Sequence, residues 1–188
     1  MFAKYKVFWL GLMVVLVLLG GCGPSATPAE DSQLKLSGAF DPENAQEYGI
    51  RGIYVGQGIK EAMDQLKPSK YDFMDAISRA SMTVDQLAQG EGTIATGMLV
   101  VDNAQLMLKV RNGVVESILV GGIEEANRDK FKTNRGLALY DSPEKMKQLY
   151  GEASGENVVT YQGSKYMMQY NVLNGKVIGF RFETVSPS

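Results

Sequence analysis

Val110-Arg111-Asn112-Gly113-Val114-Val115 decides the fold, because the same pattern returns 62 residues later as Val172-Leu173-Asn174-Gly175-Lys176-Val177. Each copy sets Asn-Gly between two apolar runs. A type I′ turn needs positive φ at both central residues, and Asn followed by Gly tolerates this best, so each stretch predicts a tight β-hairpin. Asp102-Asn103 and Gly163-Ser164 occupy matching places as turns of a preceding hairpin. Working outward, the candidate strands are Ile94 to Val101, Gln105 to Val110 and Val114 to Val120, then Val158 to Gln162, Tyr166 to Val172 and Lys176 to Val185. In the last of these, Phe180, Phe182 and Thr184 are expected to face one way, with Ile178 sharing their side.

The likeness extends upstream. Arg51-Gly52-Ile53-Tyr54-Val55 is echoed by Arg135-Gly136-Leu137-Ala138-Leu139 at an offset of 84, each reading as a short apolar strand after a glycine. Helical spacing follows in both: Ile59, Met63 and Leu66 in the first copy, Met146, Leu149 and Tyr150 in the second. Each copy therefore predicts a strand, a helix and three antiparallel strands. The offset falls from 83 at the helix to 62 at the hairpin, so the first copy carries 21 extra residues, within about Lys67 to Gly92. Tyr71, Met74, Ile77, Ser78 and Met82 give that insert an amphipathic helical pattern, with Gly90 and Gly92 as breakers and strand still open for Tyr71 to Met74. The expected fold class is α+β: two repeated units, 48–125 and 126–188, each a short strand, a helix and a three-stranded antiparallel meander, with helices packed on antiparallel sheet. A single α+β domain whose hairpins look alike through shared turn chemistry stays open.

The other end of the chain speaks to location. Lys4 and Lys6 precede a 13-residue apolar run, Val7 to Leu19, too short for the roughly 20 residues a bilayer span needs. Residues 1–21 thus read as an export signal. The following Leu19-Gly20-Gly21-Cys22 resembles the lipobox of bacterial lipoproteins. That resemblance implies cleavage between Gly21 and Cys22, acylation of Cys22 with palmitate-type chains, and an extracytoplasmic protein held on the cell membrane or outer membrane. By the same resemblance, Gly23 in place of Asp permits outer-membrane sorting. Cys22 is the only cysteine in the chain, so it has no intrachain partner, and acylation gives an unpaired exported thiol a role. Residues 22–47, rich in Gly, Pro, Ser, Ala and acids, are expected to be a flexible lipidated tether.

Composition narrows function further. Residues 1–21 contain two lysines and no acid, so the mature chain has 17 basic and 21 acidic residues and a formal charge of −4. With no basic block, nucleic acid is not expected as a partner. The chain has no histidine, which removes the usual general base and the commonest zinc ligand. Gly56-Gln57-Gly58 lies between strand and helix, where amides can cradle an anion, but Glu61 stands where a dinucleotide fingerprint wants glycine, so a plain turn is expected. Ser142-Pro143-Glu144-Lys145 matches the Ser-x-x-Lys of serine penicillin-binding enzymes. Lys132-Thr133-Asn134, however, precedes it where that family's Lys-Thr-Gly follows, and no Ser-Asp-Asn lies between. Ser142 is expected as a helix N-cap instead, with Pro143 at the first helical position. Asp72 with Asp75, and Glu124 with Glu125, read as solvated acids. Met167-Met168 beside Tyr166 and Tyr170 is the densest candidate for an adaptable contact surface.

Two strand–helix–meander units behind a lipobox resemble the small lipoproteins of the BamE (SmpA/OmlA) type, the tandem repeats of β-lactamase inhibitory proteins, and the domain that precedes CAP modules. The residues that carry this are Gly52-Ile53-Tyr54-Val55-Gly56 with Asn112-Gly113-Val114-Val115, and Gly136-Leu137 with Asn174-Gly175-Lys176-Val177. The Leu-Gly-x-Pro that commonly closes the helix is reduced here to Leu149-Tyr150-Gly151-Glu152. The resemblance implies a non-enzymatic binding module with no cofactor or metal, partnered by the bilayer through Cys22 and by an envelope or secreted protein. The alternative expectation is an envelope carrier of a small or apolar ligand.

Overall fold

Both Asn-Gly dipeptides turn hairpins in a computed structural model that describes residues 34–185, with φ of 51° and 79° at Asn112 and Gly113 and 51° and 68° at Asn174 and Gly175. In chain order the elements are β1 (Gly49–Ile50), β2 (Ile53–Tyr54), α1 (Ile59–Leu66), β3 (Lys70–Asp75), β4 (Ser81–Met82), α2 (Val84–Ala88), β5 (Ala95–Val101), β6 (Ala104–Arg111), β7 (Val114–Gly121), α3 (Pro143–Tyr150), β8 (Val158–Gln162), β9 (Tyr166–Leu173) and β10 (Lys176–Thr184). β1 and β2 form a small hairpin of their own. The other eight strands make one antiparallel sheet in the order β4-β3-β5-β6-β7-β10-β9-β8. The fold class is α+β, a large antiparallel sheet with a few short helices.

Period-two alternation gives the sheet two unlike faces. Phe73, Leu99, Leu106, Leu108, Ile118, Val120, Tyr170, Phe180 and Phe182 form the buried face. Against them pack Ile59, Ala62, Met63 and Leu66 of α1, and Met146 and Tyr150 of α3. Gln105, Met107 and Lys109 of β6, and their counterparts on other strands, form the open face.

The third strand of each meander carries an extra residue at the same distance from its turn. Pairing shifts between Lys109 and Val110 opposite Glu116, and between Val177 and Gly179 at Ile178. These β-bulges correct one expectation. Ile178 does not share the side of Phe180 and Phe182; the bulge swings it to the open face, 37% exposed, while both phenylalanines are wholly buried.

Three further expectations are corrected. The Tyr71 to Met82 insert is not a helix but β3 and β4, and its helix, α2, begins only at Val84, capped by a reciprocal Thr83–Gln86 box. β3 finds a ladder because Gly97 lies beneath Phe73, a pairing that helical periodicity does not reveal. Arg135 to Leu139 is no strand: Thr133 closes a turn on it, its N–H bonding the Leu137 carbonyl at 2.8 Å. The tether does not extend to Glu47. Phe40 stacks edge-on with Tyr150 and Tyr161 at ring distances of 5.4 and 5.8 Å. Asn44 caps a 3-10 turn at Ala45–Glu47, and the Glu43 carboxylate accepts the Ser164 N–H at 2.7 Å.

Candidate interaction face

Several of the stretches singled out in the sequence are held in turns, caps and ion pairs. At Gly56-Gln57-Gly58 the first two amides are already engaged: Gly56 N–H bonds the Val115 carbonyl at 2.7 Å and Gln57 N–H bonds the Tyr54 carbonyl at 3.3 Å, while Val115 N–H bonds the Gln57 carbonyl at 2.9 Å. The Gln57 side chain accepts the Tyr54 N–H at 3.2 Å. The second junction has the same wiring. Tyr140 N–H bonds the Val177 carbonyl at 2.6 Å and Val177 N–H bonds the Asp141 carbonyl at 3.0 Å, while the Asp141 carboxylate accepts the Ala138 N–H at 2.7 Å.

Ser142 caps α3 by accepting the Lys145 N–H at 3.4 Å, with Pro143 opening the helix. The Lys145 ammonium reaches Asp141 at 2.7 Å instead of the Ser142 hydroxyl, so no serine–lysine pair is assembled. Asp72 and Asp75 sit on opposite faces of β3. The Asp75 carboxylate is occupied by the Ile77, Ser78 and Thr93 amides, and the bonds from Ser78 hold it below the usual carboxylate range. Glu125 faces Lys176 at 3.4 Å, whereas Glu124 only opens a 3-10 turn. Met167 and Met168 are split between the two faces, and Met168 is buried beside Tyr170. Gly21 and Cys22 lie outside the described residues. Among the described residues no group of three or more Asp, Glu or Cys is placed to hold a metal ion, and no helix is long and apolar enough to cross a membrane.

What the structure does bring together is an apolar band across the open face. Met74, Met98, Leu119 and Ile178 are 39%, 41%, 40% and 37% exposed, and Met107 lies half-buried among them. On β7 and β10, Gly121 and Gly179 face one another, and the missing side chains leave a hollow of about 290 Å³ walled by Met98, Met107, Leu119 and Ile178. A second hollow, of about 310 Å³, lies on the other side of Met98 and Met107, under Met74, Asp72 and Arg79. Toward one end of the strands the face becomes charged. Glu116, turned out by its bulge, is gripped by Lys109 at 2.9 Å and Arg111 at 2.8 Å. Desolvation pushes the Glu116 carboxyl up, but these two donors outweigh it and hold the group below its ordinary value. Sequence reasoning missed this band because Met98, Met107 and Leu119 come from three different strands and touch only through register. Ile178 was assigned to the wrong side because a bulge is not visible as a motif.

No family model, no curated protein and no solved structure matches this chain.

Proposed function

We propose that the chain is a membrane-anchored cell-envelope lipoprotein, built from two repeated α/β units, that acts as a non-catalytic protein-binding module through the open face of its sheet. The observation that carries the binding role is the exposed Met98–Met107–Leu119–Ile178 band on an otherwise ordered sheet. Contiguous exposed apolar side chains on a folded surface mark contact sites, and methionine adapts its shape to what it meets. The repeat reading is supported by the matched hydrogen bonds at Gly56-Gln57 and Tyr140-Asp141 and by the matched bulges. It is supported also by the pairing of β7 with β10, which sets Leu119 opposite Arg181, two residues separated by the 62-residue offset of the hairpins.

The anchor rests on the lipobox-like Leu19-Gly20-Gly21-Cys22 and the lone Cys22. With the docked segment beginning near Leu34, 11 residues, 23–33, remain between Cys22 and the body, a reach under about 40 Å even when fully extended. A small-ligand carrier would want enclosed space between helix and sheet. Ile59, Met63, Met146 and Tyr150 are buried in that layer, and the hollow on the helix side, about 480 Å³ between α1 and α2, is open and rimmed by Lys60, Asp64 and Asp85, which favours protein contact over an enclosed apolar ligand.

Two measurements test the reading. Growth with labelled palmitate should label the wild-type chain and leave Cys22→Ser unlabelled and displaced from membranes; equal labelling of both refutes the anchor. Crosslinking in intact envelopes should trap a protein neighbour in the wild type and lose it in Leu119→Lys. Capture that is indifferent to this substitution refutes the open face as the contact surface.

A further inference from the structure

The open-face row is ordered in charge as well as in polarity. Asp72, Met98, Met107, Leu119 and Arg181 are successive cross-strand partners on β3, β5, β6, β7 and β10. The row therefore runs anion, three apolar side chains, cation, with Met107 at its midpoint. A surface that matches it must present the reverse order. The same row turned about a two-fold axis parallel to the strands and passing through Met107 does so: Met107 meets its own copy, Met98 meets Leu119, and Asp72 meets Arg181, each contact occurring twice.

The relief fits the same operation. Hollows of about 290 and 310 Å³ flank Met107 on its two sides, and both are walled by Met98 and Met107. The side chains that stand up beside them, Met98 and Leu119, are exposed to nearly the same extent, 41% and 40%. A two-fold partner brings its Met98 and Leu119 beside these hollows, one row away along the strands, so that a tilt of the flexible side chains lets the two faces interdigitate as β-sheets do when they pack at about 10 Å. Arg181 is paired with Glu183 at 2.6 Å but keeps half of its side chain in solvent, so its remaining guanidinium donors can take the Asp72 carboxylate of a facing copy. Lys109 and Arg111, beyond Met107 on the same face of β6, would approach their own copies; Glu116, at 2.9 and 2.8 Å from them, offsets one of these two charges, so this end of the seam carries a net positive charge in each copy and dimerisation should strengthen as salt is raised.

We infer that the partner bound on this face is a second copy of the chain, in an isologous sheet-on-sheet dimer centred on Met107. The inference rests on the reading of the open face as a contact surface and names its occupant. The pairing buries apolar side chains at the middle and closes two charge pairs at the rim, which sets register as well as affinity.

The test uses the full chain. Sedimentation in a density-matched detergent, over a range of protein concentrations, should show a monomer–dimer equilibrium. Met107→Cys under mild oxidation should give a covalent dimer, while the wild type, which carries only Cys22, and Thr160→Cys, on the same face but four strands from the axis, should not. Asp72→Arg alone and Arg181→Asp alone should each weaken dimerisation by about tenfold or more, and the two together should restore it. All three variants alter exposed positions, and unchanged melting would show that the fold is retained. A monomer at every concentration overturns the inference, as does a dimer unmoved by either single charge reversal or a double variant no better than the singles. If the monomer still captures another envelope protein in a Leu119-dependent way, the second-copy assignment fails and the contact-surface reading stands. If that capture is also indifferent to Leu119, both fail.

Discussion

Arg135 grips Glu47 through two nitrogens, Nε lying 2.7 Å from one carboxylate oxygen and a terminal nitrogen bonding the other, and Glu47 is wholly buried. The same guanidinium donates to the carbonyls of Ser37, Gly38 and Ala39, so its hydrogen bonds tie residues 37–47 to the body. Hydrogen bonding to Glu47 raises the Arg135 pKa further, so the guanidinium stays charged throughout the accessible pH range. Arg135→Ala leaves a carboxylate stranded in the interior and should cost about 3–5 kcal/mol in chemical denaturation. It should also open residues 34–47 to proteases before the sheet unfolds. Glu47→Gln, which keeps a hydrogen-bonding group in place, should cost less; equal losses would mean that the charge pair is not what fixes this segment.

Gly97 is the second point where one atom decides the structure. A Cβ at this position would lie 2.2 Å from the Phe73 ring, so the ring occupies the space that a side chain of its cross-strand partner would need. Gly97→Ala should therefore destabilise the protein by about 1–3 kcal/mol through overpacking, and Phe73→Ala by about 3–5 kcal/mol through the cavity it leaves. In the double variant the added methyl occupies part of that cavity, so the loss should fall below the sum of the singles. Additivity in a double-mutant cycle would refute the contact.

These two sites mark where the sequence was legible and where it was not. The hairpins at Asn112-Gly113 and Asn174-Gly175, and the six strands around them, are local: turn chemistry and period-two alternation dictate them, and their ends agree with the sequence reading to within a residue or so. The caps at Ser142 and Pro143 are local too. Tyr71 to Met82 is not. Its side-chain spacing is ambiguous between helix and strand, and the ladder to β5 with the seat over Gly97 overrode the helical pattern. Residues 34–47 have a composition that suggests disorder, yet Phe40 and Glu47 each found a partner about 100 residues away in sequence, in Tyr150 and Arg135. The open-face band depends on register and on two bulges, neither of which is written in any one segment.

The two Asn-Gly turns share a backbone but not their surroundings, and their glycines should respond differently. Both have φ in the left-handed region, where a side chain costs about 1–2 kcal/mol. Around Gly175 an added Cβ meets nothing within 4 Å, so Gly175→Ala should lose only that amount. At Gly113 the Cβ would come within 3.1 Å of the Ala88 carbonyl at the end of α2, so Gly113→Ala should lose more and should loosen α2 as well. Urea denaturation of the two variants gives the comparison. Equal losses would show that the turn, not its contact with α2, sets the sensitivity.

Alkaline pH should unfold this protein through its buried tyrosines. Tyr150 has its hydroxyl 2.7 Å from the Thr133 hydroxyl, and burial pushes its pKa up to about 12. Burial likewise raises Tyr170, whose hydroxyl donates to the Met168 sulfur, and Tyr48, whose hydroxyl donates to the Pro42 carbonyl. In the unfolded chain these phenols ionise near the ordinary value of about 10. Above that pH the unfolded state binds fewer protons than the folded one, so stability falls as pH rises. The contribution of Tyr150 is complete below about pH 10 and lost by about pH 12, amounting to about 2–3 kcal/mol at most. Melting temperature should hold level to about pH 9.5 and then drop, with the share of tyrosinate absorbance that belongs to the buried Tyr48, Tyr150 and Tyr170 rising together with unfolding and not before it. Tyr150→Phe should lower stability at neutral pH by about 1 kcal/mol, through the lost bond to Thr133, and flatten the alkaline decline. If tyrosinate absorbance climbs to its full value while the fold persists, the ring cluster is open to solvent and this account of the core is wrong.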